Sequence, residues 1–280
     1  MDAPFKPDRF DHAVDHYVSA RLTYAPQLIA WLARDTGTEG KRVLDLGCGP
    51  GFIANAIAPF ADDVLGLDPS PNMVAAAQAN AAPNARFAIG SSEDLSAVGA
   101  PVQLVTIGRA FHWMDRVQTL SDLDPLISRG GARALINDSV VKSPINRWWD
   151  AANAIAKSFA VHDDYNQHRA SDSWVRHEDV LITSAFNDLR AISVYQTHEW
   201  AFERLLRNTL SRSSTTEGLL GARRAEMEAA MRAALAPFGR EPWTSLNQHI
   251  ALIARRSVDV PQDEGRHGRH SFNQPSKPNH

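Results

Sequence analysis

The sequence predicts an α/β fold, a doubly wound and mostly parallel sheet covered on both faces by helices. Two observations carry this reading. Short apolar runs alternate with helical stretches of about a dozen residues through the first half of the chain, a rhythm that joins parallel strands by crossovers. The first run, Val43 to Leu46, also passes directly into glycines at every second position, Gly47, Gly49 and Gly51, as a strand does when it turns sharply into a helix.

The elements follow in order. Ala25 to Ala33 has helical spacing, with a turn at Pro26, and "TGTEGK" ends it. Arg42 to Leu46 reads as the first strand and "GFIANAIAPFA" as a helix packed on it. Asp63 to Leu67 is the second strand, "PNMVAAAQANAA" the second helix of the alternation, and Arg86 to Ile89 the third strand. Val102 to Ile107 is the fourth, followed by a helix around Val117 to Ile127, the break "RGG" and a fifth strand, "ARALIN". Beyond Asn137 the pattern loosens. "NRWWDAANAIAKSF" is an amphipathic helix, 161–179 has no clear period, and "LRAISVYQTHEW" is strand-like. Phe202 to Phe238 holds two helical stretches broken at "SSTTEG", and "LNQHIALIARR" is a final strand. The division expected is a helical segment over 1–36, a main domain over 37–256 with insertions at 139–179 and 202–240, and a disordered polar tail over 257–280.

Bulk properties narrow the classes. The 29 Lys and Arg against 32 Asp and Glu leave a formal net charge of −3, which disfavours a protein that coats nucleic acid or an anionic membrane. Cys48 is the single cysteine, so no intramolecular disulfide forms, as expected in a reducing compartment. The start "MDAPFKPDRFDHAVDHY" lacks the pattern of a signal peptide, and no apolar run approaches membrane-spanning length. A soluble, cytoplasmic protein, monomeric or homodimeric, is expected.

The glycine turn selects a cofactor. A dinucleotide loop needs G-x-G-x-x-G, with the pyrophosphate on a helix N-terminus. Gly47 and Gly49 fit that spacing, but the third position is Phe52. Asp45 would repel a pyrophosphate and favour a positively charged ligand, while Asp68, about twenty residues after the loop, stands where an acid accepts ribose hydroxyls. An acid for a cation, an acid for a ribose and no phosphate grip describe S-adenosyl-L-methionine. Singly, the glycines can be a tight turn and Asp68 a helix cap; together at this spacing they favour the ligand.

"VLDLGCGPG" followed by "VLGLDPSPNMV" resembles the class I S-adenosylmethionine-dependent methyltransferases. The resemblance covers Tyr17 to Asn137 closely and implies a Rossmann-like, seven-stranded sheet whose last strand runs antiparallel to the rest. It implies that Gly47, Gly49 and Gly51 let the backbone approach the methionine portion, with Asp45 near the ammonium. Asp68 with Pro69 would serve the ribose, Met73 the adenine face, and Ser92 and Glu93 the adenine edge. Many members carry an aspartate where this chain has Ser91. Gly108 and Arg109 occupy the turn that usually holds the methionine amino group. "AFHWMD" is similar to a segment of the type 11 subgroup, which includes trans-aconitate methyltransferase-like small-molecule enzymes. "YVSARLTYAP" is similar to that subgroup's leading helix, which folds over the cofactor, so Arg21, four residues from Tyr17, would reach the methionine carboxylate.

Methyl transfer is a displacement at an activated carbon, so no fixed catalytic motif is demanded. His112 can serve as a base or as an orienting residue, and Trp113 as a wall or as packing. Trp148, Arg212 and Ser213 are candidate acceptor contacts, the last two also explicable as ordinary loop polarity, and both insertions are natural lids. His162, Asp163, Asp164 and His168 cluster without regular ligand spacing, so no metal is expected. The reading is methyl transfer to an O, N or C centre of a small molecule. Alternatives are a protein of the same fold that holds the cofactor without transferring methyl, a tRNA methyltransferase, and a nicotinamide oxidoreductase.

Overall fold

The computed structural model of the protein describes residues 14–161 and 171–257. The expectations for 1–13, for His162, Asp163, Asp164 and His168, and for 258–280 lie outside the described residues. Seven strands form one sheet: β1 (Arg42–Leu46), β2 (Asp63–Asp68), β3 (Ala85–Ile89), β4 (Val102–Gly108), β5 (Ile127–Val140), β6 (Asp188–Trp200) and β7 (Trp243–Arg255). Their order is β3-β2-β1-β4-β5-β7-β6. The pairs among β1 to β5 are parallel, and β7 runs antiparallel to both neighbours, β5 and β6. The sheet and the antiparallel last strand are those expected from the sequence.

The period of two explains the layers. Val43 enters a core with Ile53, Ile57, Val64 and Leu104, whereas Leu44 enters the opposite core with Leu65, Val105 and Leu123. The first core is covered by α2 (Pro26–Thr36), α3 (Phe52–Ile57) and α4 (Pro71–Gln78). α2 starts with Pro26 in its first turn and stops at Gly37, whose left-handed backbone lets its N–H reach the carbonyls of Ala33 and Arg34. The second core is covered by α5 (Arg116–Leu123) and, past α6 (Arg147–Phe159), by α7 (His177–Ile182). A third cluster joins Trp148 of α6, Trp200 of β6, Leu205 and Leu206 of α8 (Phe202–Leu210), and Met227 and Met231 of α10 (Arg223–Leu235). α9 (Glu217–Leu220) links these helices, and α1 (Val14–Ala20) lies against α8.

Three local expectations change. The helix placed over Val117 to Ile127 ends at Leu123, and Ile127 already belongs to β5. The break expected at "RGG" does not separate the two. β5 runs on for 14 residues with a register shift opposite Val102 and Leu104. A Cβ on Gly131 would stand 2.7 Å from the Gln103 carbonyl oxygen, so glycine lets the strand pass where the helix-to-strand reading saw a stop. The stretch expected to hold two helices after Phe202 holds three, because "SSTTEG" runs into the short α9. Among the described residues no helix is long and apolar enough to cross a membrane.

Candidate functional site

β1 leads to β2 on one side and β4 to β5 on the other, so the sheet reverses direction of winding between β1 and β4. At such a point the carboxyl ends of the strands leave a crevice. A cavity of about 270 Å³ occupies it, lined by the loop after β1, the end of β2, the segment after β3 and the turn after β4.

The loop after β1 is held by backbone. Gly47 and Cys48 donate N–H bonds to the Leu67 carbonyl at 2.8 and 3.0 Å. Gly49 donates to Asp68 Oδ2 at 2.8 Å, and Ser70 donates to Asp68 Oδ1 at 3.0 Å. Each carboxylate oxygen therefore has one protein donor and retains a lone pair toward the cavity. Burial pushes the Asp68 carboxyl above its usual range, against the two N–H groups that favour its charge. Ser70, not Asp68, caps α4 by accepting from Met73 N–H at 3.3 Å. Gly49 has φ 53°, and a Cβ there would meet no protein atom within 4 Å, so the loop presents bare backbone to the cavity.

Of the residues expected around a cofactor, Tyr17, Gly47, Gly49, Asp68, Pro69, Met73, Ser92, Glu93, Gly108 and Arg109 line this cavity. Three do not. Asp45 is fully buried beneath the loop, where its Oδ2 accepts from Ala54 N–H at 3.1 Å and its Oδ1 from Thr106 Oγ1 at 2.8 Å. It ties the start of α3 to β4 instead of facing a ligand, and burial raises its carboxyl to about 7. Gly51 stands at φ 81° as the residue before α3, and a Cβ there would lie 2.8 Å from Phe87. Its role is packing. Arg21 follows α1, with its guanidinium 5.0 Å from the Tyr17 ring centre, and lines two neighbouring cavities.

Those cavities extend the crevice toward β5. One of about 360 Å³ holds His112, Trp113, His177, Arg212 and Ser213 beside Tyr17 and Arg21. Another, of about 290 Å³, is lined by Arg21, Asp138, Trp149, Asn208, Arg212 and Asn247, among others. His112 thus stands in the adjoining space and does not line the cavity at the glycine loop, whereas Trp113 lines both. Trp148 lines none of the three. It is buried, donates its indole N–H to the Thr244 carbonyl at 2.8 Å and stacks on Trp243, while Trp149 faces the second space.

Arg109 joins all three spaces. It is the single non-glycine residue with positive φ, 55°, among the described residues, a conformation that costs free energy and so marks a constrained position. The constraint comes from both ends. Its N–H donates to the Ile136 carbonyl at 3.1 Å, and its side chain pairs with Asp138 at 2.8 Å between the rings of Tyr17 and Tyr24. Gly108 before it admits Ile53 so closely that a Cβ would lie 2.3 Å from its Cδ1.

With this geometry in place, comparison with known proteins is informative. Residues 43–131, the strands and loops that line the first cavity, match the family model described as a methyltransferase domain. That part of the chain is thus similar to the methyltransferase-domain family. An uncharacterized methyltransferase of Mycobacterium tuberculosis is 30% identical over 127 residues, 45% of this chain and 51% of that one. A ubiquinone biosynthesis O-methyltransferase of Azorhizobium caulinodans is 27% identical over 126 residues, 44% of this chain and 45% of that one. The chain spans about half the length of these curated relatives. Among solved structures, one assigned as a type II methyltransferase from Anaeromyxobacter dehalogenans superposes with a TM-score of 0.60 at 21% identity. It covers 84% of this chain and 96% of that one, which establishes the class I methyltransferase fold.

Several site residues escaped the sequence reading. Asp138 is the partner that fixes Arg109, and His177 stands beside His112 with ring centres 6.4 Å apart. Arg116 approaches His177 Nδ1 at 3.4 Å. Asp138 had a signal: it follows the apolar run of a strand adjacent to β4, where ligands gather. His177 had none, since only the fold brings α7 to β4.

Proposed function

We propose that the protein transfers a methyl group from S-adenosyl-L-methionine to a small molecule. One observation carries this: the cavity at the glycine loop joins two acids to apolar walls and lacks a phosphate grip. Asp68 and Glu93 line it with Leu46, Met73, Ala110 and Met114, and among the described residues Arg109 is its sole basic lining residue. Such a set suits a vicinal diol, a flat base and a cationic centre better than a pyrophosphate. Asp68 would take the ribose hydroxyls through its remaining lone pairs, Met73 would pack on the base, and Ser92 and Glu93 would lie along its edge.

The bound cofactor supplies an electrophilic methyl carbon, so the protein's own tasks are to orient an acceptor and to exclude water. Trp113 and Tyr17 would wall the passage between the two spaces that they both line. His112 would take or orient the acceptor's proton from the adjoining space. The helices after β5 and after β6 would cover the acceptor, as lids. Calorimetric titration with S-adenosylhomocysteine and with NAD tests the cofactor assignment. Micromolar binding of the first alone is expected, about −8 kcal/mol. Binding of NAD alone would overturn it.

A further inference from the structure

The space beside the cavity at the glycine loop is lined by three arginines against two aspartates, Asp138 and Asp150. Three guanidiniums, those of Arg21, Arg109 and Arg212, reach it from α1's end, the β4 turn and the loop after α8. Among the described residues only Arg109 has a carboxylate partner, Asp138. Arg21 donates to the Ser211 carbonyl at 3.3 Å, and Arg212 to Asn153 Oδ1 at 2.7 Å, both neutral acceptors. The Nε atoms of Arg21 and Arg109 are buried with no acceptor at all. A buried cation with an unmet donor costs several kcal/mol unless something else completes it. Burial and the nearness of Arg21 depress the Arg212 guanidinium to about 10, the sign of positive charges short of a counter-charge.

The neutral side of the same space adds donors. Trp200 donates to Ser245 Oγ at 2.8 Å, and Ser245 donates to Asn247 Oδ1 at 2.6 Å. The bond from Ser245 fixes the Asn247 amide, whose N–H groups are further donors for the cavity it lines. Arg21, Arg109 and Arg212 also line the space that Tyr17, His112 and Trp113 share, so the basic end and the methyl-transfer end are continuous. We infer that the methyl acceptor carries an oxyanion, a carboxylate or a phosphate, gripped by Arg21 and Arg212 with Asn247 while its nucleophile points toward Trp113. The planar guanidinium fork matches either group, and its charge-assisted bonds are the strong kind.

This inference rests on the methyltransferase reading, and the test separates the two. The full chain, saturated with S-adenosylhomocysteine, is titrated calorimetrically with succinate, with inorganic phosphate and with neutral succinamide. At least one anion should bind about tenfold or more tightly than succinamide, the scale of a charged hydrogen bond. The preferred anion distinguishes carboxylate from phosphate. Arg212→Gln should weaken that anion by about tenfold or more while leaving the S-adenosylhomocysteine Kd within about twofold, and Arg212→Lys should restore part of the loss. If Arg212→Gln does not fold, Arg21→Gln takes its place, judged on the anion's loss alone. Equal binding of anions and succinamide overturns the inference. So does a loss in Arg212→Gln confined to S-adenosylhomocysteine, which would assign that arginine to the cofactor's own carboxylate. Anion binding to a protein that ignores S-adenosylhomocysteine would refute the cofactor reading and leave the oxyanion site standing.

Discussion

The two halves of the crevice are built by different rules. At the glycine loop, polar groups are satisfied within one short stretch of chain, 49–73: Asp68 by Ser70 and Gly49, Ser70 by Met73. Toward β5 the polar groups come from segments far apart in sequence, among them Arg21, Asp138, Arg212 and Asn247, and several donors have no acceptor. The first half is complete as protein. The second keeps the buried Nε atoms of Arg21 and Arg109 without an acceptor among the described residues, the basis of the oxyanion site proposed above.

Four tests, the first a pair of variants, sharpen or break this contrast, in falling order of expected effect. Trp148→Ala should cost about 3–5 kcal/mol of stability, as large buried aromatics do, while Trp149→Ala should leave the melting temperature nearly unchanged and weaken acceptor binding. Equal melting temperatures would place Trp148 outside the core. Asp68→Ala should raise the S-adenosylhomocysteine Kd about a hundredfold, because a charged acceptor and the loop's anchor are lost together. Near-normal affinity would remove the loop half from cofactor binding.

The third variant concerns pH. Asp45 is raised to about 7 by burial, so the folded protein binds a proton that the unfolded chain releases near pH 4. The folded state then holds more protons, and stability falls as pH rises through this window. Between pH 5 and 7 the fall should be about 2 kcal/mol in the free protein. Asp45→Asn keeps an acceptor for Ala54 N–H and should flatten the pH profile in thermal melts; an unchanged slope would assign it to another group. The smallest effect is His112→Ala, expected to lower turnover about tenfold through lost proton handling or orientation with cofactor affinity unchanged. Unaltered turnover would reduce His112 to packing.

The same contrast explains what could be read in advance. The alternation of strands and helices and the pairing of "DLGCGPG" with Asp68 are local signals, and most of the residues they single out line one cavity. Local reading failed where chemistry and burial compete. Asp45 looks like a ligand-facing acid beside a glycine turn, yet Ala54 N–H and Thr106 Oγ1 draw it under the loop. Trp148 and Trp149 are adjacent and chemically identical, so only the helix's packing against Thr244 and Trp243 decides which is core. His177 carries no local pattern, because its contact with Arg116 spans 61 residues of chain.

Arg109 has one more consequence. A single residue in a strained conformation lines both the cavity at the glycine loop and the space beside it. Any adjustment of it that favours one guest is paid back identically by the other: the factor by which donor alters acceptor affinity must equal the factor by which acceptor alters donor affinity. If the proposed donor and acceptor fill these two spaces, their coupling is reciprocal, and Arg109 is where the spaces meet.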